Sequence, residues 1–269
     1  KGFKVMDDIR HCFNDGVELK YKIWKSPTSS KKLVLVHPLA MNLHFWTDFV
    51  PHLKHYFEII AFDCRGHGNS SKPKGPYSAE LFAKDLSAVM DDAGWTKAII
   101  AGASMGGCVA LAFAGLYAKK VDGLGLIDTT AYYGENAPEI WEERAQKALV
   151  GGMGALIDFQ KLRWVTEDFI AKNSATIRRV VDIFLENDPA IYAETCRMLG
   201  AVDLRSHLHQ FDFPVIIIVG EEDYATPPSM AAYLNENIRS SEIQIIQQAR
   251  HFTPLECPEL VASHLCKYF

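Results

Sequence analysis

The sequence predicts an α/β protein: a mostly parallel, doubly wound sheet interrupted by a helical insertion. Three observations lead there. Short continuous Val/Ile/Leu runs recur along the chain, as in strands covered on both faces. Helical patterns separate them, and strand–helix–strand succession implies a doubly wound sheet. The alternation stops after Asp128, and a helical pattern without a clear strand runs over residues 132–206 before strands resume.

The elements follow in order. VELKYKIWK (17–25) alternates with period two and is expected as an amphipathic strand. Turn-rich SPTSSKK leads into LVLVH (33–37), a buried strand, and FEIIAFD (57–63) is the next. SAELFAKDLSAVMDDAG then reads as a helix with Ser78 as N-cap and Gly94 as C-terminal stop. Further buried strands are expected at KAIIAGA (97–103), VDGLGLID (121–128) and PVIIIVG (214–220), and EIQIIQQ (242–248) is the last. The expected division is a core of residues 1–131 and 207–269, with 132–206 inserted as a cap over the strand ends.

Size and composition bound the function. A chain of 269 residues, 48% hydrophobic and 23% charged, suits one large domain or a domain carrying an insertion. A net charge of −5 gives no reason to expect nucleic acid or an anionic membrane as partner. No apolar stretch reaches the roughly 18–20 residues of a spanning helix. The N-terminus, starting at Lys1, shows no secretory apolar segment, so a cytoplasmic protein is expected. Cys12, Cys64, Cys108, Cys196, Cys257 and Cys266 are scattered without CxxC spacing. Reduced thiols are expected from them, with no metal and no cofactor. Nothing in the sequence sets an oligomeric state.

GASMG (102–106) fits G-x-S-x-G. Roughly 0.1 chance matches are expected in a chain this long, so context carries the motif. A strand precedes it and the small-residue helix GGCVALAFAGLYA follows, the setting of a nucleophile elbow. The tight turn lifts the Ser104 hydroxyl above the sheet and leaves the Met105 N–H free near a helix N-terminus, where negative charge is favoured.

A serine hydroxyl needs a base. Of ten histidines, His251 lies in QQARHFTPLECPEL just after the last strand, and it comes last in chain order, as an elbow serine requires. His37 ends a strand and His67 sits in the turn CRGHGNS; both are expected to be structural. The orienting acid is assigned to Asp223 in IIIVGEEDYATPP, between a buried strand and a helix starting near Pro227 or Pro228. Glu221 and Glu222 are weaker candidates, and Asp128, which ends the strand after the nucleophile helix, is the competitor. Two donors must meet the developing oxyanion. One is the Met105 N–H. The other is expected from HPLAMN, where Pro38 has no N–H and Leu39 is therefore the candidate.

With Ser104, Asp223 and His251 in this order, the chain resembles the α/β-hydrolase superfamily over nearly its whole length. DCRGHGNSSKP is similar to that superfamily's D-x-R-G-H-G-x-S segment, GEEDYATPP to its G-x-x-D acid loop, and HFTPLECPE to its terminal histidine loop. GASMGG and RGHGNSSKPKGPYS look most like the 3-oxoadipate enol-lactonase branch and related small esterases and lactonases. The resemblance implies an α/β-hydrolase fold and a cofactor-free serine hydrolase of small carboxylic esters or lactones. There are two departures. His37-Pro38 stands where His-Gly is usual after the third strand, and Arg250 stands where Gly is usual before the histidine.

Other readings remain beside this one. Haloalkane dehalogenases and epoxide hydrolases of the fold place an aspartate at the elbow, and Ser104 argues against both. C–C bond hydrolases of ring-cleavage products use the same triad but typically carry an H-G-x-G loop that HPLAMN lacks. Acyl transfer to an acceptor other than water is also open, as is a ligand receptor on the same fold. Within the insertion Trp141 and Trp164 are the substrate-binding candidates, beside Phe159, Phe169, Phe184 and Tyr192. Nine Lys/Arg against twelve Asp/Glu over 132–206 give no net preference for an anionic substrate.

Overall fold

The computed structural model describes residues 8–269, so the N-terminal reading rests partly on residues outside those described. Eight strands, β1 (Asp8–Asn14), β2 (Val17–Trp24), β3 (Lys32–Val36), β4 (Glu58–Phe62), β5 (Ala98–Ala103), β6 (Val121–Ile127), β7 (Val215–Gly220) and β8 (Ser241–Ile246), form one sheet in the order β1-β2-β4-β3-β5-β6-β7-β8. The pairs β1–β2 and β2–β4 are antiparallel, and every other pair is parallel. The fold class is the one the apolar runs predict: β5 and β7 are buried at every position.

Strand β1 was missed in the sequence. Only Cys12 of its seven residues is buried, so it carries little apolar signal. It pairs with β2 across Asp15-Gly16, both at positive φ (48° and 76°), the backbone that favours Asp-Gly in a two-residue hairpin. β8 ends two residues earlier than expected, where the chain turns through Gln248 at φ 56°.

Helices α1 (Val50–Leu53) and α2 (Ala79–Asp92) lie on the path from β3 to β5, and α3 (Met105–Leu116) follows β5. Ser78 caps α2 by accepting from the Leu81 N–H at 3.1 Å, and Gly94 takes φ 71° just past its end. Five helices fall between β6 and β7: α4 (Ala137–Gly151), α5 (Ile157–Trp164), α6 (Glu167–Lys172), α7 (Ser174–Leu185) and α8 (Pro189–Ala201). The chain leaves and re-enters at one neck, where Tyr132 and Asp203 form an antiparallel bridge and the Leu204 N–H donates to Ala131 O at 2.9 Å. α9 (Pro228–Asn237) joins β7 to β8, and α10 (Thr253–Glu256) and α11 (Pro258–Tyr268) close the chain. Among the described residues, no helix is long and apolar enough to cross a membrane, and all six cysteines are unpaired.

The winding reverses between β3 and β5. In an open α/β sheet such a switch point opens a crevice at the carboxyl ends of the strands. The loops after β3, β5, β6, β7 and β8 all leave that edge, which brings residues 39, 104, 128, 223 and 251 to one side of the sheet.

His37 and His67 brace the loops beside this edge. His37 Nδ1–H donates to Pro38 O at 2.8 Å, and its Nε2 accepts from the Cys64 N–H at 3.0 Å. His67 Nδ1–H donates to Arg65 O at 3.0 Å. Burial pushes the pKa of His37 down to about 4, and burial together with the neighbouring His37 pushes that of His67 to about 3. Both values lie below the roughly 6.5 of an unfolded chain, so the unfolded state binds more protons as pH falls. Lowering the pH from 7.5 to 5.0 should therefore cost about 2 kcal/mol per histidine. Urea midpoints at the two pH values measure this, and His67→Asn should lose its share of the difference. An equal pH dependence in variant and wild type would contradict the reading.

Candidate active site

Ser104 stands between β5 and α3 at φ 53° and ψ −118°. Glycine is required on either side because nothing larger fits. A Cβ on Gly102 would lie 2.0 Å from Gly106 O, and one on Gly106 would lie 2.0 Å from Val36 O. The turn is fastened by the Ser104 N–H to Ile127 O (2.9 Å) and by Thr129 Oγ1, which donates to Ser104 O at 2.6 Å.

The three side chains picked out from the sequence meet here. His251 Nε2 lies 2.8 Å from Ser104 Oγ, and His251 Nδ1 lies 2.8 Å from Asp223 Oδ2. Asp223 Oδ1 accepts from the Ala225 and Thr226 N–H groups, both at 2.9 Å, and Oδ2 accepts from Thr226 Oγ1 at 3.0 Å. Burial works against ionisation of Asp223, yet His251 and these donors hold its pKa below the usual carboxylate value. A hydroxyl, an imidazole and a carboxylate chained in this way can pass a proton away from the hydroxyl oxygen.

Asp128 takes a different place. Its Oδ1 accepts from the Gly220 N–H (3.1 Å), and its Oδ2 accepts from the Thr253 N–H (2.9 Å) and Thr253 Oγ1 (2.7 Å). It joins the start of the acid loop to the residue two past His251. Full burial and the nearby Asp223 charge push its pKa well above the usual range.

The Leu39 and Met105 N–H groups donate to no protein acceptor among the described residues. The His37-Pro38 departure leaves this loop ordered: Met41 N–H donates to Pro38 O at 3.1 Å, and Ala40 takes φ 59°. A cavity of about 170 Å³ opens between Ser104, His251 and Leu39 on one side and helices α4, α5 and α7 on the other. Trp141, Trp164 and Phe184 line it. Phe159 instead is half exposed, Phe169 packs against the core, and Tyr192 is buried behind Phe184. Trp164 stacks on Phe252 (5.2 Å, 12°), which in turn stacks on His251 (5.6 Å, 28°).

Residues 31–258 match the alpha/beta hydrolase fold family. The chain belongs to that family. It is 27% identical over 227 residues to 3-oxoadipate enol-lactonase 2 of Acinetobacter baylyi, covering 84% of each chain. It is 29% identical over 248 residues to the pimeloyl-[acyl-carrier protein] methyl ester esterase of Neisseria meningitidis, covering 88% of this chain and 93% of that one. Among solved structures, the enol-lactonase from Burkholderia xenovorans superposes with a TM-score of 0.92 at 30% identity, over 96% of this chain and 99% of that one.

Several neighbours of the site were not picked out from the sequence. Thr226 follows Asp223 by three residues, the spacing of a side-chain-capped turn, and Thr253 follows His251 by two; neither stands out without the fold. Arg250 is neither free in solvent nor among the residues lining the cavity. It donates to Leu162 O at 2.6 Å and so ties the histidine loop to α5. Among the described residues, no group of three or more His, Cys, Asp or Glu side chains could hold a metal ion.

Asp128→Asn should lower stability by about 1–3 kcal/mol, because one of the buried donors loses its acceptor. Any activity should stay within roughly tenfold of wild type, since the Asp223–His251 bond is untouched. Denaturant unfolding and kcat on one ester, measured side by side, check both parts.

Proposed function

We propose that the protein is a cofactor-free serine hydrolase that cleaves small carboxylic esters or lactones through an acyl-enzyme. The observation that carries this is the chain Ser104 Oγ–His251 Nε2 and His251 Nδ1–Asp223 Oδ2, each 2.8 Å, facing a cavity with two unengaged backbone N–H groups. Ser104 attacks the substrate carbonyl while His251 takes its proton. Asp223 holds the imidazole in the Nδ1–H tautomer and stabilises the imidazolium. The Leu39 and Met105 N–H groups receive the charge that develops on the carbonyl oxygen. His251 then protonates the leaving alcohol, which in a lactone stays attached to the acyl group. Water, activated by the same imidazole, releases the acid.

Relatives named as an enol-lactonase and as a methyl ester esterase support both substrate types. Helices α4–α8 act as a cap over the site, with residues 132–206 as the inserted unit and 1–131 with 207–269 as the core. Within the cap Trp141 and Trp164 contact substrate. The six unpaired cysteines suit a reducing compartment such as the cytoplasm.

Ser104→Ala should lower kcat by roughly 10⁴-fold or more with the fold intact, and Asp223→Asn by roughly 10⁴-fold. Turnover of a panel of esters, lactones and vinylogous diketones, with mass detection of an acyl group on Ser104, tests the reading. Activity retained in Ser104→Ala would sink it, and turnover confined to the diketones would replace it with C–C cleavage. A ligand that shifts thermal stability without being turned over would point to a receptor.

The two tryptophans separate binding from chemistry. Trp141→Ala should change KM and substrate ranking, whereas Trp164→Ala should also lower kcat, because Trp164 backs Phe252 and through it His251. Equal responses of all substrates to both changes would make these side chains plain packing.

A further inference from the structure

Arg250 stands next to His251 where the sequence departs from the usual glycine, and its side chain makes contacts that glycine could not. Only 16% of that side chain is exposed. On one side Nη1 donates to Leu162 O at 2.6 Å and to Val165 O at 3.4 Å. On the other, Nε lies 3.6 Å from Glu222 Oε2, an ion pair rather than a hydrogen bond. The guanidinium also sits 5.3 Å from the centre of the Tyr224 ring. Glu222 and Tyr224 are the residues on either side of Asp223.

Carbonyls at the end of a helix run out of intrahelical donors, and a cation is favoured there. At the end of α5, four successive carbonyls are met from residues 250–252. Arg250 Nη1 takes those of Leu162 and Val165, the His251 N–H takes Arg163 O at 3.3 Å, and the Phe252 N–H takes Trp164 O at 2.7 Å. The Arg250 N–H donates to Glu256 Oε2 at 2.9 Å, and Glu256 Oε1 accepts from the Thr166 N–H at 2.8 Å. The acid loop is joined to the histidine loop in two further ways: the Glu222 N–H donates to Ala249 O at 2.9 Å, and Asp128 links Gly220 to Thr253. Neither of these links involves α5. The Arg250 guanidinium spans from α5 to the acid loop, with a charged donor on the helix carbonyls, where such bonds are stronger than neutral ones.

We infer that Arg250 is a positioning residue: held between the end of α5 and the acid loop, its guanidinium keeps His251 at bonding distance from both Asp223 and Ser104. The kinetic part of this inference rests on the hydrolase reading of Ser104; the placement of the imidazole does not.

The test uses Arg250→Met, which keeps the length of the stem and removes charge and donors, and Arg250→Lys, which restores a cation able to reach the carbonyls. With a good ester, Arg250→Met should lower kcat and kcat/KM together by roughly 10- to 100-fold, as expected when a catalytic group is misplaced from a distance. Arg250→Lys should recover most of that loss. Urea unfolding of each variant accompanies the kinetics. A variant that is less stable but keeps its kcat makes Arg250 plain fastening and overturns the inference. So does a rise in KM with kcat unchanged. If Arg250→Met does not fold, the double variant Glu222→Gln/Tyr224→Leu, on the acid-loop side of the same link, should lower kcat at unchanged KM, and an unchanged kcat there overturns the inference. A second measurement needs no turnover. The proton that His251 Nδ1 shares with Asp223 should give a low-field NMR resonance that disappears in Asp223→Asn. It should broaden or shift in Arg250→Met and persist in Arg250→Lys; an unchanged resonance in Arg250→Met overturns the inference. The expected NMR changes in a protein that hydrolyses no ester support the positioning role and remove the hydrolase reading.

Discussion

The backbone of Ser104 must be held at φ 53°, and the geometry around the site depends on keeping it there. A non-glycine residue in such a conformation costs on the order of 1–3 kcal/mol, so the surroundings must impose it. They do so by close approach. The missing side chain of Gly106 lets α3 start against the Val36 carbonyl at the end of β3, and that of Gly102 lets α3 fold back over β5. The same contact fixes how far the Ser104 turn lies from the loop that carries Leu39. Two unengaged N–H groups and one hydroxyl therefore stand at the same end of the sheet, where β5 is buried along its whole length.

Parallel strands send all their C-terminal loops to one edge, which brings two buried aspartates close together. Their surroundings then divide the work. Asp223 is met by His251, a hydroxyl and two N–H groups, and stays ionised against its burial. Asp128 feels the charge of Asp223 without an imidazole of its own, and its pKa rises. Yet Asp128 is what links Gly220 to Thr253, so the loops carrying Asp223 and His251 share one anchor. Position at a strand end made both residues candidates for the acid; Asp223 bonds to His251, and Asp128 bonds to Gly220 and Thr253.

The sheet was legible because buried parallel strands read as unbroken apolar runs, and β5 and β7 leave no polar position to blur them. Polar β1 failed the same test, although Asp15-Gly16 marks its hairpin. Ser104, Asp223 and His251 stood out through chain order and loop chemistry, since Ser104 follows β5 directly and the other two lie in the loops after β7 and β8. Thr226 and Thr253 were not, because a threonine beside a loop carries no signal until the loop's hydrogen bonds are known. The pairing of charges between β6 and β7 was hidden for a similar reason. A count over residues 132–206 averages Arg197, held by two carboxylates, with Arg144, held by none.

Helix α5 and the histidine loop are joined directly, backbone to backbone. The His251 N–H donates to Arg163 O at 3.3 Å and the Phe252 N–H to Trp164 O at 2.7 Å. Glu256 accepts from both the backbone N–H and the hydroxyl of Thr166. Arg163 therefore does two things at once: its carbonyl holds the backbone of His251, while its guanidinium lines the cavity. Arg144 has only the second connection. The histidine loop is thus fastened to the end of α5 by backbone hydrogen bonds that side-chain substitution leaves in place.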